Sequence, residues 1–209
     1  MNRASNAAAT RFDRRRERTR QEVLTAATRV LAEKGFDRTK VSDIAAEADV
    51  GVGTFYLHFP TKEALFDAVV EQTVARLKAT VDTARAAAKG PVEQVRAANA
   101  AFFLFADQNR EVFKIVFGHA AAYNDLIRGA QALFIADIER TIRDGVAAGV
   151  FAPLPPALVA QAVIGMATQM ISWWTEHESV PVETLIDTTT RLALGGLVPS
   201  GHVKGVRNG

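Results

Sequence analysis

TKVSDIAAEADVGVGTFYLHFPTKE, residues 39–63, is the stretch that decides the fold. Val41, Ile44, Ala45 and Ala48 recur at i, i+3, i+4 and i+7, which draws one apolar stripe along a helix. Asp49-Val50-Gly51 interrupts the stripe with turn-forming residues. Residues 52–59 resume as a helix too short to hold alone, with Phe55 and Phe59 at i, i+4 turned inward. Pro60 stops it, Thr61 is placed to cap the next helix, and Glu63 falls in that helix's first turn, where the dipole favours a carboxylate. Two short helices across a tight turn, followed by a bracing third, make a helix-turn-helix, whose second helix enters the DNA major groove.

Working outward, the charge pattern suits such a unit. The net charge is only +2, yet residues 1–62 hold 12 Lys+Arg against 8 Asp+Glu, while residues 63–209 hold 13 against 15. The excess concentrates in Arg11, Arg14, Arg15, Arg16, Arg18 and Arg20. Beside a helix-turn-helix, Arg14 to Arg20 suit attraction to phosphates or entry into a narrow minor groove. Arg3 and Arg11 read as part of a solvated tail.

The same stretch resembles the tetracycline-repressor-like (TetR) family of one-component regulators. The resembling residues are Gly35-Phe36, Val41-Ser42-Asp43-Ile44-Ala45, Val50-Gly51-Val52-Gly53-Thr54-Phe55-Tyr56-Leu57-His58-Phe59 and Lys62-Glu63-Ala64-Leu65. Their ordered spacing is far more specific than a generic helix-turn-helix pattern. The resemblance implies a DNA-binding N-terminal domain, a C-terminal domain that binds a small ligand between its helices, and a dimer built on a four-helix interface.

The expected fold is all-α, with about nine helices: a disordered arm at 1–13, a helix-turn-helix DNA-binding domain at 14–62, a ligand-binding and dimerisation domain at 63–198, and a disordered tail at 199–209. The first helix, 14–34, ends at Gly35, suited to a left-handed C-cap. A long helix, 61–88, stops at Gly90-Pro91; shorter ones follow at 92–107 and 111–117, then a longer one at 121–148 that ends at Gly149. The last two, 156–177 and 182–194, flank Ser179-Val180-Pro181. No charge occurs from Phe151 to Thr175, but Pro153, Pro155 and Pro156 at its start and Gln161, Thr168, Gln169 and Ser172 within it favour a helix buried in protein over one in a membrane. Ala160, Ala162, Gly165 and Ser172 permit close approach of a second subunit.

Candidate DNA contacts follow. Thr54 and Tyr56 hydroxyls, His58 and the Lys62 ammonium suit phosphate oxygens, which position without reading sequence. Thr39 and Lys40 reach the backbone from the start of the second helix, and Arg14 and Arg18 from the first. Ser42, Val52 and Gly53 meet base edges, Val52 through a thymine methyl. Gly53 has no side chain, so shape readout gains weight. For Tyr56 the competing reading is a half-buried core ring.

Candidate ligand-binding residues are Phe102, Phe105, Phe113, Phe117, His119, Tyr123, Phe134, Met166, Gln169, Met170 and Trp173, an aromatic set with a few polar groups to orient a ligand. Asn99 and His177 are further polar candidates, and more than half of the aromatics are expected to be plain core. Trp173 and Trp174 fit either the pocket or the dimer interface. Aromatic lining without a basic cluster favours an uncharged or amphipathic apolar effector.

Chemistry is poorly served. No phosphate loop or Gly-x-Ser-x-Gly elbow occurs, and the chain has no cysteine. His119, Tyr123 and Asp125, or Glu176, His177 and Glu178, match no metal-ligand spacing. No enzyme, cofactor or metal is expected. The sequence therefore reads as a cytoplasmic, homodimeric, ligand-responsive regulator, a repressor on a palindromic operator released by a small apolar or amphipathic effector. The alternative is a helical carrier of an apolar molecule with little specific DNA binding.

Overall fold

The structure, a computed structural model, describes residues 3–118, 120–177 and 179–198, with side chains at 11–117, 125, 127–177 and 179–198. Among the described residues it is all-α: α1 Arg3–Arg38, α2 Val41–Glu47, α3 Val52–His58, α4 Lys62–Ala87, α5 Gly90–Gln108, α6 Arg110–Gly118, α7 Ala120–Ala147, α8 Pro156–Thr175 and α9 Val182–Leu197. None of these helices is long and apolar enough to cross a membrane. The chain divides into two compact units, 1–73 and 74–209.

In the first unit, α1 begins at Arg3, inside the span expected to be a disordered arm. Ala4 and the run Ala7-Ala8-Ala9 are strong helix formers, and neither Gly nor Pro interrupts them. At the other end Gly35 takes φ 72° and ψ 168°, a conformation that glycine alone adopts without strain. It breaks the helix after Lys34, so that Phe36 can pack edge-on against Phe66, ring centroids 5.2 Å apart. Val23, Leu24, Ala27, Val30 and Leu31 of α1, Ile44 and Ala45 of α2, and Phe55 and Phe59 are buried. Leu65, Phe66, Val69 and Val70 of α4 are buried as well. These opening turns of α4 belong to the first unit, which places the division at Thr73 rather than at the expected residue 62. As the sequence suggests, Thr61 caps α4, its Oγ1 accepting from the Ala64 N–H at 3.0 Å.

The second unit packs α5–α9 with the end of α4 around three apolar clusters. Phe103, Ala106, Ile171, Trp174, Val182 and Leu185 form one. Leu77, Val81, Phe105, Phe134 and Ile164 form the next, and Ile142, Phe151, Leu194 and Leu197 the third. Positive φ at Gly90 (80°) and Gly149 (68°) marks the expected breaks. The expected C-terminal tail at 199–209 lies outside the described residues.

The α7 end closes tightly. A methyl group at Gly145 would sit 2.1–2.8 Å from ring atoms of Phe151, a buried ring of the third cluster. We expect Gly145→Ala to destabilise the protein by roughly 1–3 kcal/mol, as overpacked cores do. A melting temperature unchanged from the parent would show that Phe151 moves aside freely.

Candidate nucleic-acid interface and effector cavity

The turn from α2 to α3 passes through Asp49 at φ 52°, left-handed geometry that a short polar residue tolerates better than most. The backbone closes there, with Asp49 N–H donating to Ala46 O at 3.1 Å and Val50 N–H to Ala45 O at 2.9 Å. Because Phe55 and Phe59 turn inward, Val52, Gly53, Tyr56 and Leu57 face solvent, with Thr54 and His58 at the margin. Tyr56 is 53% exposed and Leu57 72%. Tyr56 stands edge-on to Phe55 with most of its ring outward, so it is not a core ring. Leu57 escaped the sequence reading, although position 57 follows from the same helical geometry as position 53.

Arginines flank α3. A surface groove is lined by Phe12, Arg15, Arg16 and Thr19 of α1 with Thr54, Leu57 and His58 of α3. Arg14 and Arg18 are exposed on α1 but are not in this groove, and Arg18 pairs with Glu22 at 2.9 Å. Arg20 lies over the Phe59 ring, 5.1 Å from its centroid. Burial, with Arg16 and Arg20 nearby, holds the His58 imidazole below the usual histidine range. At neutral pH it therefore offers a neutral ring to a phosphate rather than a charge. Lys40 and Ser42 are exposed at the start of α2. Asp43 orders that start: the Lys34 ammonium at 3.1 Å and the Lys40 N–H at 3.2 Å hold its carboxyl below the usual carboxylate range.

Two expected DNA contacts, Thr39 and Lys62, are engaged within the fold. Thr39 is 2% exposed, and its hydroxyl donates to Gly35 O at 2.7 Å; the end of α1 claims it before any phosphate can. The Lys62 ammonium donates to Phe36 O at 3.0 Å and Thr39 O at 3.3 Å, and lies 4.1 Å from the Phe36 ring centroid. The Phe36 carbonyl also accepts the Thr39 N–H at 3.2 Å, so the Lys62 cation adds a charge-assisted donor where α1 ends.

In the second unit an apolar cavity of about 80 Å³ opens between the second and third clusters. Val81, Val95, Ala98, Phe102, Phe134, Ile138, Ile142, Val163, Ile164, Ala167, Ala193 and Leu197 supply its apolar wall, and Arg85, Gln94, Asn99 and Thr141 its polar groups. Of the expected ligand residues, Phe102 and Phe134 line it, and the polar candidate Asn99 joins them. Phe105 is buried at 5% in the second cluster. Phe113 and Phe117 stack on each other, centroids 6.3 Å apart, and with Met170 pack against the cluster of Trp174. Met166 is half-buried, Gln169 exposed, and Trp173, 41% exposed, stacks on His177 at 4.0 Å. None of these lines this cavity. His119 and the side chain of Tyr123 lie outside the described residues. Trp174 is separated from its neighbour by complete burial, its indole N–H donating to Val180 O at 2.7 Å.

Beside the cavity, α4 and α7 are joined by ion pairs. Asp137 accepts from Lys78 at 2.7 Å, from Arg85 at 3.0 Å and from Arg140, while Asp82 pairs with Arg85 at 2.8 Å and with Lys78. Burial pushes the Asp137 carboxyl up, but Lys78 and Arg85 pull it further down, to a net value below the ordinary 3.8.

Two outcomes follow from this geometry. Lys62→Met should cost about 2 kcal/mol of stability, the scale of hydrogen bonds to a charged donor, and leave the salt dependence of DNA affinity unaltered; a changed slope would return Lys62 to the phosphate contacts. Asp137 is depressed in the folded protein, so its stabilisation is complete above its unfolded value near 3.8 and disappears as pH falls through the folded value. Asp137→Asn should therefore lower the melting temperature at pH 7, and the gap should narrow as pH falls below 3.8 and through the folded value. A gap constant with pH would deny the ion pair that role.

Comparison with known proteins agrees with the arrangement. The family described as "Bacterial regulatory proteins, tetR family" matches residues 23–69, and "Tetracyclin repressor-like, C-terminal domain" matches 88–197. The uncharacterized HTH-type transcriptional regulator YhgD of Bacillus subtilis is 27% identical over 180 residues, 84% of this chain and 94% of that protein. A TetR/AcrR-family regulator from Thermobifida fusca superposes with TM-score 0.71 at 20% identity, over 90% of this chain and 98% of its own. FadR of Bacillus subtilis, solved with stearoyl-CoA, gives 0.69 at 18%, over 84% and 98%. The two matched regions together take in both compact units, and the chain belongs to the TetR family of transcriptional regulators, with a DNA-binding helix-turn-helix domain and a ligand-binding C-terminal domain.

Proposed function

We propose that this regulator is a homodimeric repressor that binds a palindromic operator in the cytoplasm and is released when an apolar or amphipathic effector enters the cavity of the second unit. The observation that carries the reading is the pairing of features: a solvent-facing α3 flanked by an arginine-lined groove in one unit, and an apolar cavity with a few polar groups in the other. Val52, Leu57 and Ser42 take the base edges, with Arg15, Arg16, Thr54 and Tyr56 on phosphates. Arg14, Arg18 and Lys40, exposed on α1 and at the start of α2, add phosphate contacts at the edges of the same surface.

The dimer forms through α8 and α9. On α8, Leu158, Ala162, Gly165, Gln169 and Trp173 are exposed along one side, and on α9 Leu192, Gly195 and Gly196. Leu158 is 69% exposed and Leu192 62%, large apolar groups that suit burial against a second subunit. Two-fold pairing of these faces requires a two-fold operator. The amphiphile in the FadR structure supports an effector of mixed character here. A cavity of about 80 Å³ is small for such a molecule, so binding favours a state with the surrounding helices further apart, and that preference is the source of the coupling.

Selection from a random duplex pool at near-physiological salt should enrich a palindrome. Arg16→Ala should then weaken binding to specific and non-specific duplex alike, and flatten the log–log salt slope by about 0.9 for each phosphate no longer neutralised. A folded dimer that enriches nothing would favour the carrier reading.

A further inference from the structure

We propose that the effector is an amphiphile with a carboxylate head, and that this carboxylate binds Arg85 in place of Asp137. The inference rests on the cavity's being the effector site. Among the described residues that line it, Arg85 alone carries a charge. Arg85 also borders the charged surface depression formed by Lys78, Asp82, Ala86, Gln94, Asp137, Arg140, Thr141 and Asp144. Its guanidinium thus stands where the apolar wall ends and the ion pairs begin, with its side chain 16% exposed.

The position is already occupied by the chemistry proposed for the ligand. One terminal nitrogen of Arg85 contacts carboxylate oxygens of both Asp82, at 2.8 Å, and Asp137, at 3.0 Å. A guanidinium is a planar fork suited to carboxylates, so an incoming carboxylate replaces Asp137 like for like. The exchange strands no charge. Asp137 retains Lys78 at 2.7 Å and Arg140, and Arg85 retains Asp82. An amine head would meet the cation of Arg85, and a hydroxyl head would leave the ion pairs intact. Gln94 and Thr141, which line both cavity and depression, supply neutral hydrogen-bonding groups beside the head.

The replacement has a mechanical result. Arg85 ends α4, and Asp137 lies on α7; once the two part, Lys78 is the remaining cation of α4 on Asp137. The acid head thereby weakens the tie between these helices as its tail fills the cavity.

The test uses the full chain at pH 7.5 and measures calorimetric affinity for octanoate, 1-octanol and octylamine. Octanoate should bind about tenfold more tightly than octanol, the scale of one charge-assisted hydrogen bond, and octylamine most weakly. Arg85→Gln should abolish the preference for the acid over octanol. Asp137→Asn, which removes the competing carboxylate, should tighten octanoate and not octanol; this second variant decides if Arg85→Gln fails to fold. Equal affinity for octanoate and octanol, or an acid preference that survives Arg85→Gln in folded protein, would overturn the proposal while sparing the cavity. If no probe binds and Ala167→Phe melts as the parent does with each of them, the cavity reading itself falls, and the proposal with it.

Discussion

The Lys62 ammonium is the constraint on which the first unit depends. The chain must leave α1, turn at Gly35 and start α2 within a few residues, and the carbonyls of Phe36 and Thr39 at this corner both accept from that ammonium. A lysine at the start of α4 reaches both and lies on the face of Phe36 as well. The contact ties the end of α1 and the entry to α2 to the first residue of α4, and α3 is strung between the last two. The corner from which the helix-turn-helix begins is therefore held in part by a half-buried cation.

Charge is used in a second way on the other unit. There the Lys78, Arg85 and Arg140 cations share the Asp82 and Asp137 carboxylates at the edge of an apolar cavity. Buried and half-buried ion pairs add little net stability, so their presence between α4 and α7 is better understood as a fastening that can be rearranged. Asn99, by contrast, is fixed: its amide nitrogen lies within 2.8–2.9 Å of Thr189 and Thr190 hydroxyls on α9. One wall of the cavity is anchored by neutral hydrogen bonds and the other by exchangeable ones.

Most helix boundaries were legible in the sequence because they rest on local chemistry. Gly35, Gly90 and Gly149 take the positive φ for which glycine is suited, Pro60 ends α3, and Thr61 caps α4. The outward positions of α3 followed from the inward Phe55 and Phe59. The intramolecular bonds of Thr39 and Lys62 were not legible, because a polar residue beside a DNA-binding helix looks free until the carbonyls it serves are placed, and those lie 23 and 26 residues from Lys62 in the chain. The lining of the cavity was not legible for a different reason. Large aromatic rings mark where side-chain volume is plentiful, so Phe105 and Trp174 went to the core, whereas a cavity lies where volume is missing. The small residues Ala98, Ala167 and Ala193 were the pertinent signal, and they are inconspicuous in a chain rich in alanine.

Those alanines have a consequence for how such a regulator diverges. With the effector in the cavity as proposed, each is a place where one substitution trades empty space for a methyl or an isopropyl group, trimming the roster of molecules admitted without disturbing a hydrogen bond. None lies in the helix-turn-helix, so the chemical signal a descendant answers to can drift while the genes under its control stay the same. A wall of small side chains leaves the sensor open to revision one carbon at a time.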